Sequence, residues 1–431
     1  MPEDTSSKRA SSLSALALNP ANSSAWANLG VTLREGGQVE VGGKEYTARD
    51  CFLKALECDP KMGSAWGNLG NTMKRGDRIK VKGKKYEKRD CYLKALELDP
   101  RYEIAWYNLG RTLKSGDKVR VGWKMYTERD CYLKALEFAP KYGAVWNNLG
   151  GTLRKGGKAQ VDGKEYDAQD CFLKARESDP EDGDAWYNLG LTLKEGGWIE
   201  VEGKEYTAQK CFLKALECNP LMGSAWGNLG RTLEEGESIQ VGGKACTKQD
   251  CYLKTVEYDP QIGAAWALLG TTLRDGEVVQ VEGKAYSKTD CFRKTLDFDR
   301  RDGVTWDNLG LSLKEGKLAK VQEKDYARRD CFVTALEYCP RSVITWYHLG
   351  CDLKSGEKVK VRGKSYNDRK CFLKALECDP QYGPAWSSLG YTLKEGERVK
   401  VGNEEFTAQD CLQKARGFGQ LRSQGSKPTL R

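Results

Sequence analysis

A 40-residue sequence pattern repeats ten times, without a gap or an insertion, from Ala21 to Gln420. A chain of 431 residues would otherwise suggest two or three globular domains. A repeat of this period is instead typical of a solenoid, in which each unit buries its apolar face against its neighbours. Tryptophan marks every copy at one position, namely Trp26, Trp66, Trp106, Trp146, Trp186, Trp226, Trp266, Trp306, Trp346 and Trp386.

Each unit is predicted to form a helix, a β-hairpin and a second helix. In the first unit an apolar stripe of helical spacing begins at Trp26, and Gly36 is predicted to end that helix. The segment from Val39 to Tyr46 alternates around a glycine pair, which predicts a tight hairpin. A capping-box-like Thr47 then begins a second apolar helical stripe, which Pro60 closes. Because Val39, Val41 and Tyr46 need burial, the hairpins are expected to neighbour one another.

The repeat gives the chain its boundaries. Residues 1–12 are predicted to be disordered, 13–20 form a half repeat, and 421–431 form a disordered basic tail. The ten units occupy 21–60, 61–100, 101–140, 141–180, 181–220, 221–260, 261–300, 301–340, 341–380 and 381–420.

The cysteines and the single histidine exclude several kinds of chemistry. Ten of the sixteen cysteines recur in register, no C-x-x-C is present, and His348 is the only histidine. We therefore expect reduced packing residues of a cytoplasmic protein with neither metal nor cofactor. No phosphate-loop motif and no repeated Ser/His or Cys/His arrangement is present, so the chain is predicted not to be an enzyme. No apolar stretch is long enough to span a membrane.

The repeated residues resemble a known family, the tetratricopeptide repeat (TPR), whose pattern here reads Trp26, Leu29, Gly30, Leu33, Ala48, Phe52 and Pro60. The period is 40 rather than 34, and the six extra residues fall in the hairpin. The position of Ala48 holds alanine in only four units. The resemblance implies an all-α, right-handed α-solenoid with small inserted hairpins, which binds proteins or peptides along its concave face.

The expected groove is lined by the first helix at the positions of Ser24, Ala27, Val31 and Arg34. The position of Arg34 is basic in nine units of ten, which would suit an acidic peptide but is equally typical of a solvated helix end. The candidate peptide-binding residues are Arg34, Lys74, Lys114, Arg154, Lys194, Arg274, Lys314, Lys354 and Lys394, together with Asn71, Tyr107, Tyr187 and Tyr347.

Two hairpins are strongly basic. Their cations are Arg78, Lys80, Lys82, Lys84 and Lys85 in one, and Lys358, Lys360, Arg362 and Lys364 in the other. Such lysines block edge-to-edge strand pairing, and they could also meet an anionic partner. The predicted function is a non-enzymatic scaffold or adaptor for protein partners. The alternatives are an RNA-binding solenoid that uses the basic hairpins at 78–89 and 358–370, and a structural protein that self-assembles.

Overall fold

The computed structural model describes residues 5–33 and 36–424, with side chains described up to residue 418. The chain divides into two compact units, Met1–Cys218 and Asn219–Arg431. Each unit is a stack of helix pairs, and a short antiparallel hairpin lies between the two helices of every pair. The predicted all-α solenoid with small hairpins is confirmed in both units.

The described residues of unit 1 form eleven helices and ten strands. Its helices are α1 Thr5–Leu18, α2 Ser23–Val31, α3 Ala48–Cys58, α4 Gly63–Asn71, α5 Lys88–Leu98, α6 Glu103–Arg111, α7 Glu128–Phe138, α8 Gly143–Leu153, α9 Ala168–Ser178, α10 Gly183–Thr192 and α11 Ala208–Cys218. Its strands are β1 Gln38–Val41, β2 Lys44–Thr47, β3 Arg78–Val81, β4 Lys84–Glu87, β5 Lys118–Val121, β6 Lys124–Thr127, β7 Ala159–Val161, β8 Lys164–Tyr166, β9 Trp198–Val201 and β10 Lys204–Thr207.

Unit 2 continues the same order of elements. Its helices are α12 Gly223–Thr232, α13 Lys248–Tyr258, α14 Gly263–Thr272, α15 Lys288–Phe298, α16 Gly303–Ser312, α17 Arg328–Tyr338, α18 Val343–Asp352, α19 Asp368–Cys378, α20 Gly383–Tyr391 and α21 Ala408–Gln424. Its strands are β11 Ser238–Val241, β12 Lys244–Thr247, β13 Val278–Val281, β14 Lys284–Ser287, β15 Leu318–Val321, β16 Lys324–Ala327, β17 Val359–Val361, β18 Lys364–Tyr366, β19 Arg398–Val401 and β20 Glu404–Thr407.

The core of a repeat is built on a close approach between its two helices. A Cβ atom on Gly110 of α6 would lie 2.7 Å from Cε1 of Tyr132 on α7, so only glycine leaves room for the ring. The indole of Trp106 is buried, and its Nε1 donates to the carbonyl of Pro100, which closes the preceding repeat, at 2.8 Å. The two helices of the repeat therefore approach each other closely at the repeated glycine.

The second helix of a repeat begins at the predicted capping box. The Thr127 amide donates to a carboxylate oxygen of Asp130 at 2.9 Å, and the Asp130 amide donates back to the Thr127 hydroxyl at 3.2 Å. Where the threonine is absent, the aspartate still caps, because the Ala327 amide donates to Asp330 at 2.9 Å. These bonds satisfy amide groups that have no partner inside the helix.

The first helix is shorter than predicted. The spacing predicts a first helix that continues to the glycine at the position of Gly36. In the structure α4 ends at Asn71 instead, and Thr72 caps it. A turn follows, in which the Lys74 amide donates to Asp77 at 3.0 Å. The Asp77 carboxylate closes this turn by a hydrogen bond that competes with a further helical turn. Gly76 supplies the positive φ of 90° that the turn needs.

The hairpins pack inwards but do not join into a ribbon. In the described chain each hairpin is a separate two-stranded sheet. Tyr126 pairs with Val119 across the strands, and its ring centroid lies 4.8 Å from that of Trp106. Strand β3 also contacts α3 of the preceding repeat, and β5 contacts α5. The turn of the β7–β8 hairpin, at Asp162 and Gly163, has φ angles of 49° and 76°, as a type I′ turn requires.

Two predictions at the ends of the chain were wrong. Residues 5–12, predicted to be disordered, belong to α1. They are ordered because Arg9 donates to the Thr32 carbonyl at 2.7 Å and the side chain of Ser12 is buried, so the half repeat is longer than 13–20. At the other end α21 continues to Gln424, whereas residues 425–431 of the predicted tail lie outside the described residues. Across the described chain, no helix is long and apolar enough to cross a membrane.

Candidate functional site

An arginine joins each repeat to the next along much of the chain. In unit 1, Nη2 of Arg89 donates to the carbonyl of Thr112 at 2.9 Å, and its Nε donates to the hydroxyl of Thr112 at 3.3 Å. One repeat later Arg129 contacts Thr152 at 2.9 Å and 3.4 Å. The guanidinium thus satisfies the carbonyl end of the first helix of the following repeat.

These arginines were not singled out from the sequence. The signal was present, because an arginine and a threonine recur 23 residues apart, as at Arg49 and Thr72. A joint in unit 2 has an additional ion pair, since Arg329 contacts Asp352 at 3.1 Å and Glu357 at 2.8 Å. The joints hold consecutive repeats in one fixed geometry, which positions the residues beside them.

Three open cavities lie beside these joints. Each is bordered by the start of the second helix of one repeat and by the first helix of the next, and their volumes are about 870, 860 and 850 Å³. We call them cavity A (with Asn71, Arg75, Lys88, Tyr92, Tyr107, Arg111 and Tyr142), cavity B (with Glu128, Asn147, Asn148, Gly151, Arg154 and Asn188) and cavity C (with Arg328, Phe332, Tyr347, His348, Cys351 and Lys354).

Cavity A combines tyrosine rings with cations. The Tyr107 and Tyr142 ring centroids are 5.2 Å apart, and the Arg111 guanidinium lies 5.5 Å from the Tyr107 centroid. Tyr92 donates its hydroxyl proton to Oδ1 of Asn71 at 2.9 Å. Burial raises the pKa of Tyr92, and the charge of Arg111 partly opposes that shift. The hydroxyl therefore stays protonated at neutral pH.

The cations of cavity A are not neutralised by the protein. Among the described residues, no carboxylate lies within ion-pair distance of Arg75, Lys88 or Arg111. Glu87 and Asp90 also line this cavity, but the Glu87 carboxylate is 2.8 Å from Arg78 on the hairpin and the Asp90 carboxylate accepts from the Glu87 amide at 2.8 Å. Cavity A therefore has more cations than carboxylates beside its aromatic surface.

Cavity B occupies the same place one repeat later and is lined differently. Glu128 replaces Lys88, and it accepts a hydrogen bond from the Tyr132 hydroxyl at 3.1 Å. Asn188 donates from Nδ2 to Oδ1 of Asn147 at 2.7 Å, and Arg154 donates to Oδ1 of Asn188. The surface of cavity B is therefore a set of side-chain amides with charges of both signs.

Cavity C belongs to unit 2. His348 lies 2.9 Å from the Asp307 carboxylate of the preceding repeat, so this histidine joins repeats at a position where seven other units have asparagine. The Arg328 Nε is buried and has no hydrogen-bond partner among the described residues. Burial raises the pKa of the Cys351 thiol. These groups give cavity C a guanidinium, an imidazole and two aromatic rings.

Some of the predicted peptide-binding residues line these cavities. Asn71 and Tyr107 line cavity A, Arg154 lines cavity B, and Tyr347 and Lys354 line cavity C. Arg34 lies outside the described residues. The other candidates line none of the three cavities, and these are Lys74, Lys114, Lys194, Arg274, Lys314, Lys394 and Tyr187.

The second helix contributes a cavity position that the predicted groove did not include. Lys88, Glu128 and Arg328 stand at the position of Ala48, where the family pattern has alanine, and each lines a cavity. The departure from alanine was visible in the sequence, but it indicated only a change in helix packing. Its place at the first turn of the second helix explains why a large side chain there reaches the cavity.

The predicted cations of the two basic hairpins line none of the three cavities. Lys80, Lys82, Lys84 and Lys85 are exposed, as are Lys358, Lys360, Arg362 and Lys364. Arg78 is the cation of this group that pairs with a carboxylate, that of Glu87.

The cysteines carry little reactivity. All sixteen are free thiols, and burial raises the pKa of Cys91 and of Cys171 to about 12. Thiols of this kind are packing residues at neutral pH. Across the residues that the structure describes, no three His, Cys, Asp or Glu side chains form a group that could hold a metal ion.

A family model and a number of solved structures are similar to parts of this chain. The tetratricopeptide repeat model matches residues 91–125 and 371–416. A solved structure, that of YrrB, described as a TPR protein with an unusual peptide-binding site, is 21% identical, with a TM-score of 0.29. The match covers 49% of this chain and 94% of that one. No curated protein matches.

Each matched segment runs from the second helix of one repeat into the following repeat, and each unit contains one such segment. The described helix pairs, the tryptophan, glycine and aromatic residues of their core, and the closing proline recur through both units. The matched segments are therefore similar to tetratricopeptide repeats, and the same helix pair recurs along the described chain in a 40-residue form with a β-hairpin between its two helices.

Proposed function

We propose that this chain is a protein-interaction scaffold that binds extended peptide segments of its partners at the cavities between consecutive repeats. The proposal is supported by a contrast between the contacts that join consecutive repeats and the side chains that line the cavities beside them. The glycine, tryptophan and arginine contacts recur almost unchanged, while cavities at the same place differ in charge and in aromatic content. A row of similar cavities with different linings suits the recognition of different side chains along one peptide.

Cavity A is suited to an acidic side chain. An unpaired guanidinium and an unpaired ammonium favour a carboxylate, and two tyrosine rings offer apolar surface for its methylene groups. Arg111 is held over the Tyr107 ring, so little conformational freedom remains for it to lose on binding. The acidic character of the partner rests on this cavity.

Cavity B is suited to the peptide backbone. Side-chain amides of Asn147, Asn148 and Asn188 offer both donors and acceptors, which match the N–H and C=O groups of an extended chain. Asn148 also donates to the Tyr107 hydroxyl at 3.3 Å, which links cavity B to cavity A. One extended peptide would thus contact both.

A cytoplasmic location is part of the proposal. Sixteen free thiols, ten of them buried in register, are compatible with a reducing compartment.

The test is fluorescence anisotropy with labelled peptides rich in Glu/Asp, in Asn/Gln or in Lys. The variant is Lys88→Glu with Arg111→Glu, and the control is Lys61→Glu, an exposed charge reversal outside the cavities. We expect the acidic peptides to bind the native chain and the control alike, and to bind the double variant at least tenfold more weakly. Equal binding of the three peptide classes, or equal loss in the control, would contradict the proposal.

Two other functions stay predictions. RNA binding is favoured by the unpaired lysines of the β3–β4 hairpin, and it predicts a steeply salt-dependent affinity for RNA that survives in the cavity variant. Self-assembly predicts light scattering that rises with protein concentration.

A further inference from the structure

The β5–β6 hairpin carries an exposed tryptophan at its turn. Trp123 is 96% exposed and stands where seven other hairpins have glycine. Met125, on the same hairpin, is 49% exposed. Large apolar side chains exposed together on a projecting turn gain nothing from folding, because water remains in contact with them. An exposed apolar turn of this kind indicates a surface that contacts a binding partner.

Cations lie on the same hairpin as this tryptophan. Lys118, Arg120 and Lys124 are exposed on the same hairpin. The Arg120 Nε donates to the Gly122 carbonyl at 3.3 Å, and the Lys124 ammonium lies 5.5 Å from the centroid of the Tyr126 ring. Both cations are thereby held close to the turn. No carboxylate among the described residues lies within ion-pair distance of any of the three.

The preceding hairpin adds more positive charge. Lys80 and Lys85 stand directly opposite each other across β3 and β4, an arrangement that is unfavourable by itself. Lys82 and Lys84 are exposed beside them. Because β3 packs on α3 and β5 packs on α5, the two hairpins occupy corresponding places on successive repeats of unit 1. Their turns therefore emerge on the same side of that unit.

We propose that the turns of the β3–β4 and β5–β6 hairpins form a docking surface for an anionic lipid membrane. Trp123 would lie among the lipid headgroups, where an amphipathic indole is favoured. The lysines and arginines of the two hairpins would contact the acidic headgroups, which are attracted by clustered cations. This surface is separate from cavities A and B, so membrane docking and peptide binding would proceed together.

The unit also contains a matched hairpin of opposite charge. On β9–β10, Trp198 is 54% exposed, but Glu200 and Glu205 stand opposite each other and Glu202 lies at the turn. An anionic surface would repel this hairpin. Trp198 therefore provides a control in which an exposed indole is removed from a place where no lipid contact is expected.

The experiment is sedimentation of the full chain with phosphatidylcholine vesicles, with and without phosphatidylserine. The variants are Trp123→Ala, Lys80→Glu with Lys85→Glu, and the control Trp198→Ala. We expect binding only to the vesicles with phosphatidylserine, about tenfold weaker binding in the first two variants, and no change in the control. Acidic-peptide binding should be unchanged in all three, because none of them touches cavity A.

Two results would overturn the proposal. One is vesicle binding that is absent, or that Trp123→Ala and Trp198→Ala reduce equally. The other is binding of single-stranded RNA, without vesicle binding, that is lost in Trp123→Ala, since stacking of bases on the indole would then explain the surface.

Discussion

Cavities A and B lie one repeat apart and are built on the same core contacts, yet they differ at several of the charged positions that line them. A Cβ atom on Gly110 or on Gly150 would lie 2.7 Å from the ring beneath it, and Arg89 and Arg129 make the same contacts to the next repeat. Against this, Lys88 is replaced by Glu128, and the Arg111 position becomes Gly151. The positions that pack the repeat are therefore separate from the positions that vary in charge at the cavities.

The largest expected effect comes from substitutions at the packed glycines that the two repeats share. Gly110→Val and Gly150→Val should each lower the free energy of unfolding by about 3 kcal/mol, because a larger side chain would overlap the packed ring. Thermal denaturation followed by circular dichroism measures this loss. The two variants should behave alike, and a large difference between them would show that the joints do not share one frame.

The next effect separates the cavities. Lys88→Glu should weaken the binding of an acidic peptide by about 2 kcal/mol, or roughly 30-fold in affinity, because it replaces a cation of cavity A by a carboxylate. Glu128→Lys should leave that peptide bound at least as tightly. Isothermal titration measures both affinities. If the two reversals have the same effect, net charge rather than cavity A governs binding.

A smaller and equal effect is expected from the hairpins. The ring centroids of Tyr126 and Tyr166 lie 4.8 and 4.9 Å from those of Trp106 and Trp146. Replacement of either tyrosine by serine should cost about 1.5 kcal/mol of unfolding free energy, because an aromatic pair and part of its burial are lost. Peptide affinity should not change. An unchanged melting temperature would mean that the hairpin does not contribute to the packing of the repeat.

The smallest effect distinguishes the joints from one another. Arg369 lowers the pKa of Glu397 to about 2, with help from the Lys394 amide, whereas Arg89 and Arg129 have no such ion pair in the described chain. A carboxyl whose pKa is depressed in the folded state stabilises the fold above about pH 4.5, and this contribution is lost as the pH falls towards 2.

Melting temperatures of the native chain and of Glu397→Gln, measured between these pH values, test that joint. The native chain should be slightly more stable at neutral pH, and the difference should vanish in acid. A difference that persists at low pH would assign the effect of the substitution to packing.

Much of the frame could be predicted because each core position is written ten times. The period gave the helix–hairpin–helix order, the capping box and the close approach at glycine. The end of the first helix could not be predicted, because it depends on Asp77 closing a turn and on an arginine 23 residues before the capping threonine. That contact lies between repeats and has no local signature.

The cavities were predictable only in part. Tyr107 and Asn71 were expected from the first helix, and both line cavity A. Lys88 was not expected, because the family pattern has alanine there and a helical wheel of the first helix says nothing about the second. Most of the basic residues at the Arg34 position line none of the three cavities.

The most direct test of the account is photo-cross-linking of the tightest acidic peptide, with a benzophenone next to its acidic residue, followed by mass spectrometry of the digested chain. The account predicts adducts on segments that contain Tyr92, Tyr107 and Tyr142, and their loss in Lys88→Glu. Adducts on the β3–β4 hairpin, or adducts spread evenly over the repeats, would contradict it.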